Sequence, residues 1–260
     1  MELIDKKMKI ITIVNNKGGV GKTTSAQNIA AGLATFGNSR VLVIDLDTQA
    51  SLTKSAGIQH ETVQYNSGSF ILNEKPFDQI VQRCNGIDVL PASAELANKE
   101  DTIKAAPVFP FNLKIALDKI KDRYDFVLID CPPALSGMTR IALVACDAYF
   151  VPLQAEFLSY EGLRNFLQYA GEIKQISPNS SLGGVFATRY NPRIRKKISN
   201  ALIEAAKSQL NGSFMATYIR DNIALSEAQS QGMPIFDYAP DSNGAQDYYN
   251  LTKEILERMA

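Results

Sequence analysis

Ten consecutive residues near the start of the chain carry its clearest chemical signal. Residues 15–24 read Asn-Asn-Lys-Gly-Gly-Val-Gly-Lys-Thr-Thr and lie between the apolar run Ile10 to Val14 and a helical pattern. Glycines let the backbone turn N–H groups onto an anion without Cβ clashes, and a following helix adds its free first-turn N–H groups. The stretch therefore indicates a phosphate-binding loop between a strand and a helix. A glycine-rich turn of structural purpose only is the disfavoured alternative.

The side chains of this loop offer what a bound triphosphate with Mg²⁺ needs. We expect Lys22 to place its ammonium on the outer phosphates and Thr23 to offer its hydroxyl to Mg²⁺. Asn16 stands where the usual pattern has glycine, and Lys17 follows it. The predicted ATP-binding residues are Lys17, Gly18, Gly19, Val20, Gly21, Lys22, Thr23 and Thr24.

Carboxylates follow two further apolar runs. Asp45 and Asp47 come after the run at 40–44, and Asp130 ends the run at 126–129 in the Walker B layout. Ligands of open parallel sheets bind at the carboxyl ends of strands, so these acids are expected beside the phosphate loop. One of them could orient the waters of Mg²⁺ and another the attacking water. The alternative is that Asp45 or Asp47 caps the next helix.

The elements that must position these residues alternate along the chain. Continuous apolar runs typical of buried parallel strands alternate with amphipathic helical patterns. This predicts an α/β fold with a mostly parallel twisted sheet flanked by helices on both faces, of the P-loop NTPase type, as one domain over residues 1–260. Strands are predicted near 10–14, 40–45, 87–90, 126–129, 148–152, 182–188 and 215–219, and helices near 22–37, 94–103, 111–124, 160–176, 222–232 and 244–259.

One more helix is predicted to open at Asn191-Pro192, with Asn as N-cap and Pro in the first turn. Its expected buried stripe is Ile194, Ile198, Ala201, Leu202 and Ala205. Its first turn carries Arg193, Arg195, Lys196 and Lys197 at the positive end of the helix dipole, which costs ~0.3–1 kcal/mol per charge. That cost favours a counter-anion such as a phosphate backbone. A solvated charged face is the alternative.

Composition excludes several other classes of function. Lys and Arg number 27, and so do Asp and Glu, so a nucleic-acid partner would have to be recognised by a local patch. Three cysteines without paired short spacing and one histidine argue against a transition-metal site and for a reducing cytoplasm. There is no secretory signal pattern and no run of the ~20 apolar residues that span a bilayer. We expect a cytoplasmic protein.

Five segments together resemble the ParA/Soj partition ATPases, a branch of the deviant Walker A proteins. The resemblance runs along nearly the whole chain and matches the short, Soj-like form without an N-terminal helix-turn-helix. Thr48 and Ala50 replace the frequent Pro and Gly of the family, and Arg220 lacks the usual preceding Pro. The matching segments are residues 17–24, 45–49, 130–133, 152–156 and 227–234, the last followed by Tyr238.

The resemblance implies an ATP hydrolase that works as an ATP-dependent sandwich homodimer with Mg²⁺. The catalytic residues would be Lys17, Lys22 and Asp47. The signature lysine, Lys17, would reach the partner's phosphates, and Lys22 those of its own subunit. The metal residues would be Thr23, which ligates Mg²⁺, and Asp45 and Asp130, which hold its waters.

The resemblance also implies partners. The ATP-bound dimer would bind nonspecific double-stranded DNA, which makes the protein nucleoid-associated. The DNA-binding residues would be Arg193, Arg195, Lys196, Lys197 and Arg220. A ParB-like centromere-binding protein would stimulate a slow intrinsic hydrolysis and so move plasmid or chromosome cargo. Adenine recognition in the family uses segments that match the surroundings of Arg189 and residues 219–221.

Three alternatives stand beside this interpretation. A MinD-like membrane ATPase would need a basic polar face on the helix at 244–259, which it lacks. An iron–sulfur reductase would need paired interface cysteines, which Cys131 and Cys146 do not supply convincingly. A nucleotide-dependent scaffold or filament would bind ATP with little catalysis.

Overall fold

The computed structural model describes residues 7–192 and 197–260, and within these ranges seven strands form one sheet in the order β3-β4-β2-β5-β1-β6-β7. Every neighbouring pair is parallel except β3 and β4, which are antiparallel. The strands are β1 (Lys9–Ile13), β2 (Val41–Asp45), β3 (Gln82–Cys84), β4 (Ile87–Leu90), β5 (Phe126–Asp130), β6 (Ala148–Gln154) and β7 (Ser181–Thr188).

Helices cover both faces of this sheet, as predicted. They are α1 (Lys22–Gly37), α2 (Ser51–Ser55), α3 (Ser67–Ile71), α4 (Leu96–Ala105), α5 (Asn112–Asp118), α6 (Gly137–Ala145), α7 (Phe157–Ile176), α8 (Lys197–Gln209), α9 (Ile223–Ser230), α10 (Ile235–Tyr238) and α11 (Asn243–Met259). Among the described residues, none of these helices combines the length and apolar character that crossing a lipid bilayer requires.

The sheet separates two hydrophobic cores. Successive side chains of a strand point to opposite faces, so Leu42 and Ile44 of β2 enter one core while Val41 and Val43 enter the other. The first core is closed by helices from α3 to α8, and the second by α1, α2 and α9 to α11. Burial on both faces explains why these strands read as continuous apolar runs.

The strand order brings the predicted functional segments together. β5 lies between β1 and β2, and the register pairs Asp130 with both Ile13 and Asp45. The phosphate loop and both acidic strand ends therefore lie side by side at the carboxyl edge of the sheet. This is the edge at which open α/β sheets bind ligands.

The predicted strand at residues 215–219 is wrong. The segment touches β7 only through two isolated bridges, Phe214 with Val185 and Ile219 with Thr188. Between them, the N–H groups of Ala216 and Thr217 donate to the Glu254 carboxylate of α11 at 3.0 and 2.9 Å. The two bridges lie five residues apart on this segment (214 to 219) but three apart on β7 (185 to 188), so no regular ladder forms between them, and Glu254 binds the N–H groups of two of the intervening residues.

Two helix predictions also need correction. α8 buries Ile203 and Ala206, whereas Ala201 and Ala205 of the expected stripe are exposed. The helix expected over 111–124 ends at Asp118, because the following residues form turns before β5. The short antiparallel strand β3 was not predicted, since its three residues are largely exposed and show no apolar run.

Candidate functional site

The phosphate loop joins β1 to α1 and has the backbone that its glycines predict. Gly19 and Gly21 have φ values of 74° and 90°, in the left-handed region that favours glycine. Gly21 is the N-cap of α1, and no side chain caps this helix end. The first-turn N–H groups of α1 and its dipole are therefore available to an anion.

Side chains from β6 and β7 hold the loop from behind. Gln154 Nε2 donates to the carbonyl of Gly19 at 3.2 Å, and Thr188 Oγ1 donates to the carbonyl of Val20 at 2.9 Å. Buried Asn15 anchors the start of the loop, since its Oδ1 accepts from the Lys17 N–H and its Nδ2 donates to the Pro152 carbonyl. These contacts fix the direction of the loop carbonyls, so an anion would meet N–H groups.

Lys22 and Thr23 face the end of β5. The Lys22 ammonium is buried and donates to the Lys17 carbonyl at 2.9 Å. Burial lowers the pKa of Lys22, while the nearby carboxylates of Asp130 and Asp47 act in the opposite direction. Thr23 Oγ1 donates to Asp130 Oδ2 at 2.7 Å. The predicted phosphate and metal residues thus meet across two adjacent strands.

The Asp130 side chain fits a magnesium site. Its carboxylate is fully buried, and Oδ1 has no hydrogen-bond partner within the described chain. Burial, with the neighbouring Asp45, raises the pKa of Asp130 well above its ordinary value. An orphaned buried carboxylate oxygen beside a threonine hydroxyl suits a hard cation and its waters. The described residues hold no cluster of three His, Cys, Asp or Glu side chains that could bind a metal by itself, so phosphate oxygens and waters would complete the shell.

Asp45 and Asp47 have different environments. Asp45 is fully buried, and its oxygens accept from the N–H and hydroxyl of Thr53 and from the Asp47 N–H, at 2.7 to 3.0 Å. Burial raises the pKa of Asp45 to about 6, against these hydrogen bonds. Asp47 is partly exposed and lines the cavity beside the loop. Asp45 therefore orients Asp47, and its role toward the waters of Mg²⁺ stays a prediction.

The Lys17 side chain forms an ion pair within its own chain. Its Nζ lies 2.6 Å from Glu156 Oε2, just beyond the end of β6. This contact lowers the pKa of Glu156. Both side chains are partly exposed, so the pair contributes little to stability. The predicted reach of Lys17 to a partner's nucleotide stays a prediction.

A cavity of about 690 Å³ opens beside the loop. Its size suits a nucleotide-sized ligand. One side is formed by residues 18–24 and Asp47, and another by Thr188, Arg189 and residues 219–222, the segments expected near the adenine. Further lining comes from Gln49, Ser51, Lys54, Ser55, Pro133, Leu225, Ser226, Gln229, Ser230 and Tyr248.

Sequence reasoning assigned no role to the residues that support this site, although Glu156 lies in one of the segments that match the family. Thr53, Glu156 and Tyr248 each contact or line it from a separate element. Thr53 follows Asp45 closely in the chain and could have been proposed as its hydrogen-bond partner. Tyr248 lies in the last helix, and a single sequence contains no signal that brings it beside the loop.

The predicted DNA-binding residues are only partly covered by the structure. Arg193, Arg195 and Lys196 lie outside the described residues, and Lys197 is the first residue of α8. Arg220 borders the cavity beside the phosphate loop, and its guanidinium is directed at the Asp247 carboxylate of α11 at 2.6 Å. Contact of these five residues with DNA stays a prediction.

Comparison with known proteins identifies the family. A family profile described as an AAA domain (AAA_31) matches residues 8–183. The sporulation initiation inhibitor protein Soj of Bacillus subtilis is 36% identical over 250 residues, covering 95% of this chain and 98% of that protein. The chromosome-partitioning ATPase Soj of Thermus thermophilus is 35% identical over 262 residues, covering 99% of each.

Solved structures agree on the fold. Cobyrinic acid a,c-diamide synthase from Mycobacterium smegmatis with a bound ATP analogue and magnesium has a TM-score of 0.84 at 29% identity, covering 97% of this chain and 96% of that one. A putative plasmid partition protein from Borrelia burgdorferi bound to AMPPNP has a TM-score of 0.79 at 26% identity, covering 97% and 98%. With the phosphate loop and the two acidic strand ends in place, these similarities show that the chain belongs to the ParA/Soj family of partition ATPases.

Proposed function

We propose that this chain hydrolyses ATP to time its binding to DNA, as a partition ATPase. The observation that carries the proposal is the convergence of Lys22, Thr23 and Asp47 on one cavity beside a helix N-terminus without a side-chain cap, with the buried Asp130 bonded to Thr23 behind it. Lys22 and the loop N–H groups would bind the phosphates. Thr23 would ligate Mg²⁺ and Asp130 would hold its waters, while Mg²⁺ would neutralise phosphate charge when bound.

Asp47 is the proposed hydrolysis residue. Its backbone is fixed by Asp45, and its Oδ1 accepts from the Gln49 N–H at 3.0 Å, so the carboxylate is held at the cavity. A carboxylate in this position can orient a water for attack on the outer phosphate. Slow turnover by the chain alone, with stimulation by a ParB-like protein, follows if that partner completes the site.

The proposed ATP-bound state is a homodimer in which Lys17 reaches the neighbour's phosphates. Its position next to Gly18 of the cavity lining supports this role, and its ion pair with the exposed Glu156 is of a kind that costs little to break. In the dimer, the predicted DNA-binding cations of the two copies would together form one surface. Multivalency would then raise DNA affinity far above that of one copy.

The decisive experiment is a gel-shift titration on arbitrary duplex DNA with ATP, with ADP and without nucleotide. We expect a shift only with ATP, and its loss in the double variant Arg193→Ala with Arg220→Ala. A shift that persists in the double variant would contradict the assigned patch. A gel shift that does not depend on nucleotide would contradict the proposal that ATP binding and hydrolysis control DNA binding.

A membrane partner is not proposed. α11, the helix that a MinD-like protein would use, buries Tyr248, Leu251 and Ile255 in the second core. Sedimentation with anionic liposomes and ATP checks this point, and we expect the protein to stay in the supernatant. Phosphate release, measured with and without DNA, separates an ATPase from a scaffold with little catalysis.

A further inference from the structure

The segment between β7 and α9 forms one wall of the nucleotide cavity, and its shape is set from outside. Residues 219–222 line the cavity, yet they do not belong to a strand or helix. Two backbone hydrogen bonds tie Ile219 to the end of β7, through Ala187 and Tyr190. The next residue, Arg220, has no such backbone partner in β7 and is held by α11.

Asp247 of α11 holds Arg220 in place. Its carboxylate accepts the Arg220 backbone N–H at 2.9 Å, Arg220 Nε at 2.9 Å and Arg220 Nη2 at 2.6 Å. The Asp247 side chain is only 8% exposed, and that of Arg220 is 28% exposed. A bidentate pair with a largely buried carboxylate fixes both the direction of a guanidinium and the backbone that carries it.

We propose that Asp247 is a positioning residue of the nucleotide site, which fixes Arg220 and thereby the 219–222 wall in the form that receives a nucleotide. The proposal rests on the proposed ATP-binding function. Among the described residues Asp247 is not part of the cavity lining, so it acts through Arg220. The adjacent Tyr248 does line the cavity, and its hydroxyl lies 3.0 Å from Ser25 Oγ of α1. α11 therefore joins the wall to the helix that begins at the phosphate loop.

This assignment changes the meaning of a variant at Arg220. Two of its nitrogens already donate to Asp247 within the same chain. Removing the guanidinium would leave a buried carboxylate with fewer donors and would loosen the wall. A loss of DNA binding in an Arg220 variant would then arise partly from weaker nucleotide binding, which can be measured without DNA.

Glu254 provides a matched control on the same helix. It lies two turns after Asp247 and accepts two backbone N–H groups of the same connection, those of Ala216 and Thr217, where Asp247 accepts one. Neither of these residues lines the nucleotide cavity. Asp247→Asn and Glu254→Gln each turn an amide –NH₂ toward donors, so both loosen the connection, but only the first does so at the cavity.

The test measures the Kd of Mg-ADP by titration calorimetry, with the melting temperature of each variant beside it. ADP is used because it is not hydrolysed and needs no second copy. We expect Asp247→Asn to raise the Kd roughly tenfold. Glu254→Gln should lower the melting temperature and keep the Kd of the unchanged chain. Arg220→Gln should raise the Kd as Asp247→Asn does. The variant that carries both substitutions should have a Kd no higher than the higher of the two single-variant values.

Equal Kd values for Asp247→Asn and Glu254→Gln would overturn the proposal, whether both are raised or both unchanged. If Asp247→Asn does not fold, the comparison of Arg220→Gln with Glu254→Gln decides in the same way. A chain without substitutions that binds neither ADP nor ATP would instead refute the proposed function itself. The two failures are therefore distinguishable.

Discussion

Asp45 and Asp47 show how two identical residues in one short segment take different tasks. Asp45 ends a buried strand, so its carboxylate has no access to water and is satisfied by Thr53 and the Asp47 N–H. Asp47 lies two residues further on, beyond the strand, and reaches the cavity. The sequence predicts that both acids stand at this edge. The residue pattern by itself does not distinguish them, because the distinction depends on Thr53 folding back from α2; only the family resemblance gives them separate roles.

The Asp47→Ala variant tests the role of a single carboxylate. The variant should lose phosphate release by roughly 10²–10⁴-fold, because the residue that orients the attacking water is gone. Its Kd for Mg-ATP should stay close to that of the unchanged chain, since Lys22 and the loop N–H groups remain. Release is measured by a phosphate assay and the Kd by titration calorimetry. Equal loss of binding and release would assign Asp47 to nucleotide binding instead.

The Lys17→Ala variant tests the proposed contact between subunits. The ion pair with Glu156 is partly exposed, so its loss should lower the free energy of unfolding by less than ~1 kcal/mol. Light scattering with saturating Mg-ATP should show dimers for the unchanged chain and monomers for the variant. Lys121→Ala, an exposed lysine elsewhere on the surface, is the control and should dimerise normally. Dimers of Lys17→Ala would refute the assigned role.

Among the elements, the sequence predicts best where burial alone decides the structure. β4 has the predicted bounds, and α1 begins at Lys22 and ends at Gly37 as its glycine stop indicates. Prediction fails where a distant side chain replaces a local hydrogen bond. The 215–219 segment has the apolar residues of a strand, yet Glu254 takes its central N–H groups. No pattern in the sequence near residues 215–219 predicts a hydrogen bond with a residue of the last helix.

The close packing of α1 against α11 leads to a prediction about stability. A Cβ on Gly32 would lie 2.7 Å from Thr252 Oγ1 and 3.2 Å from its Cγ2. Gly32→Ala should therefore lower the free energy of unfolding by ~1–3 kcal/mol, as overpacking does. Gly171→Ala is the matched control within α7, since no atom lies within 4 Å of its added Cβ.

Urea unfolding measures both glycine variants. Gly171→Ala should raise the free energy of unfolding by ~0.5–1 kcal/mol, because alanine loses less backbone entropy in a helix. A Gly32→Ala protein as stable as the Gly171→Ala protein would show that the two helices can separate without cost.

For the whole molecule, Lys and Arg balance Asp and Glu, so the proposed binding to DNA would depend on a local patch of cations. If the proposed cation patch contacts DNA phosphates, the affinity of the ATP-bound state should fall by roughly 10³-fold between 50 and 200 mM salt, because counterions are released on binding. Fluorescence anisotropy with labelled duplex at several salt concentrations measures this slope. Arg193→Ala should reduce the slope, whereas an affinity that does not vary with salt would argue against phosphate contacts.

The two edges of the sheet limit the ways in which copies of this chain can associate. β3 is three residues long, exposed and includes Arg83, while the 214–219 segment lies along the outer side of β7 without pairing continuously. An edge strand that is short and charged, or that is covered by another segment, is a poor template for pairing with a strand of another chain. Self-association through the backbone is therefore discouraged at both ends of the sheet. The proposed dimer would instead form at the surface around the phosphate loop, where binding and hydrolysis of a nucleotide would switch it on and off.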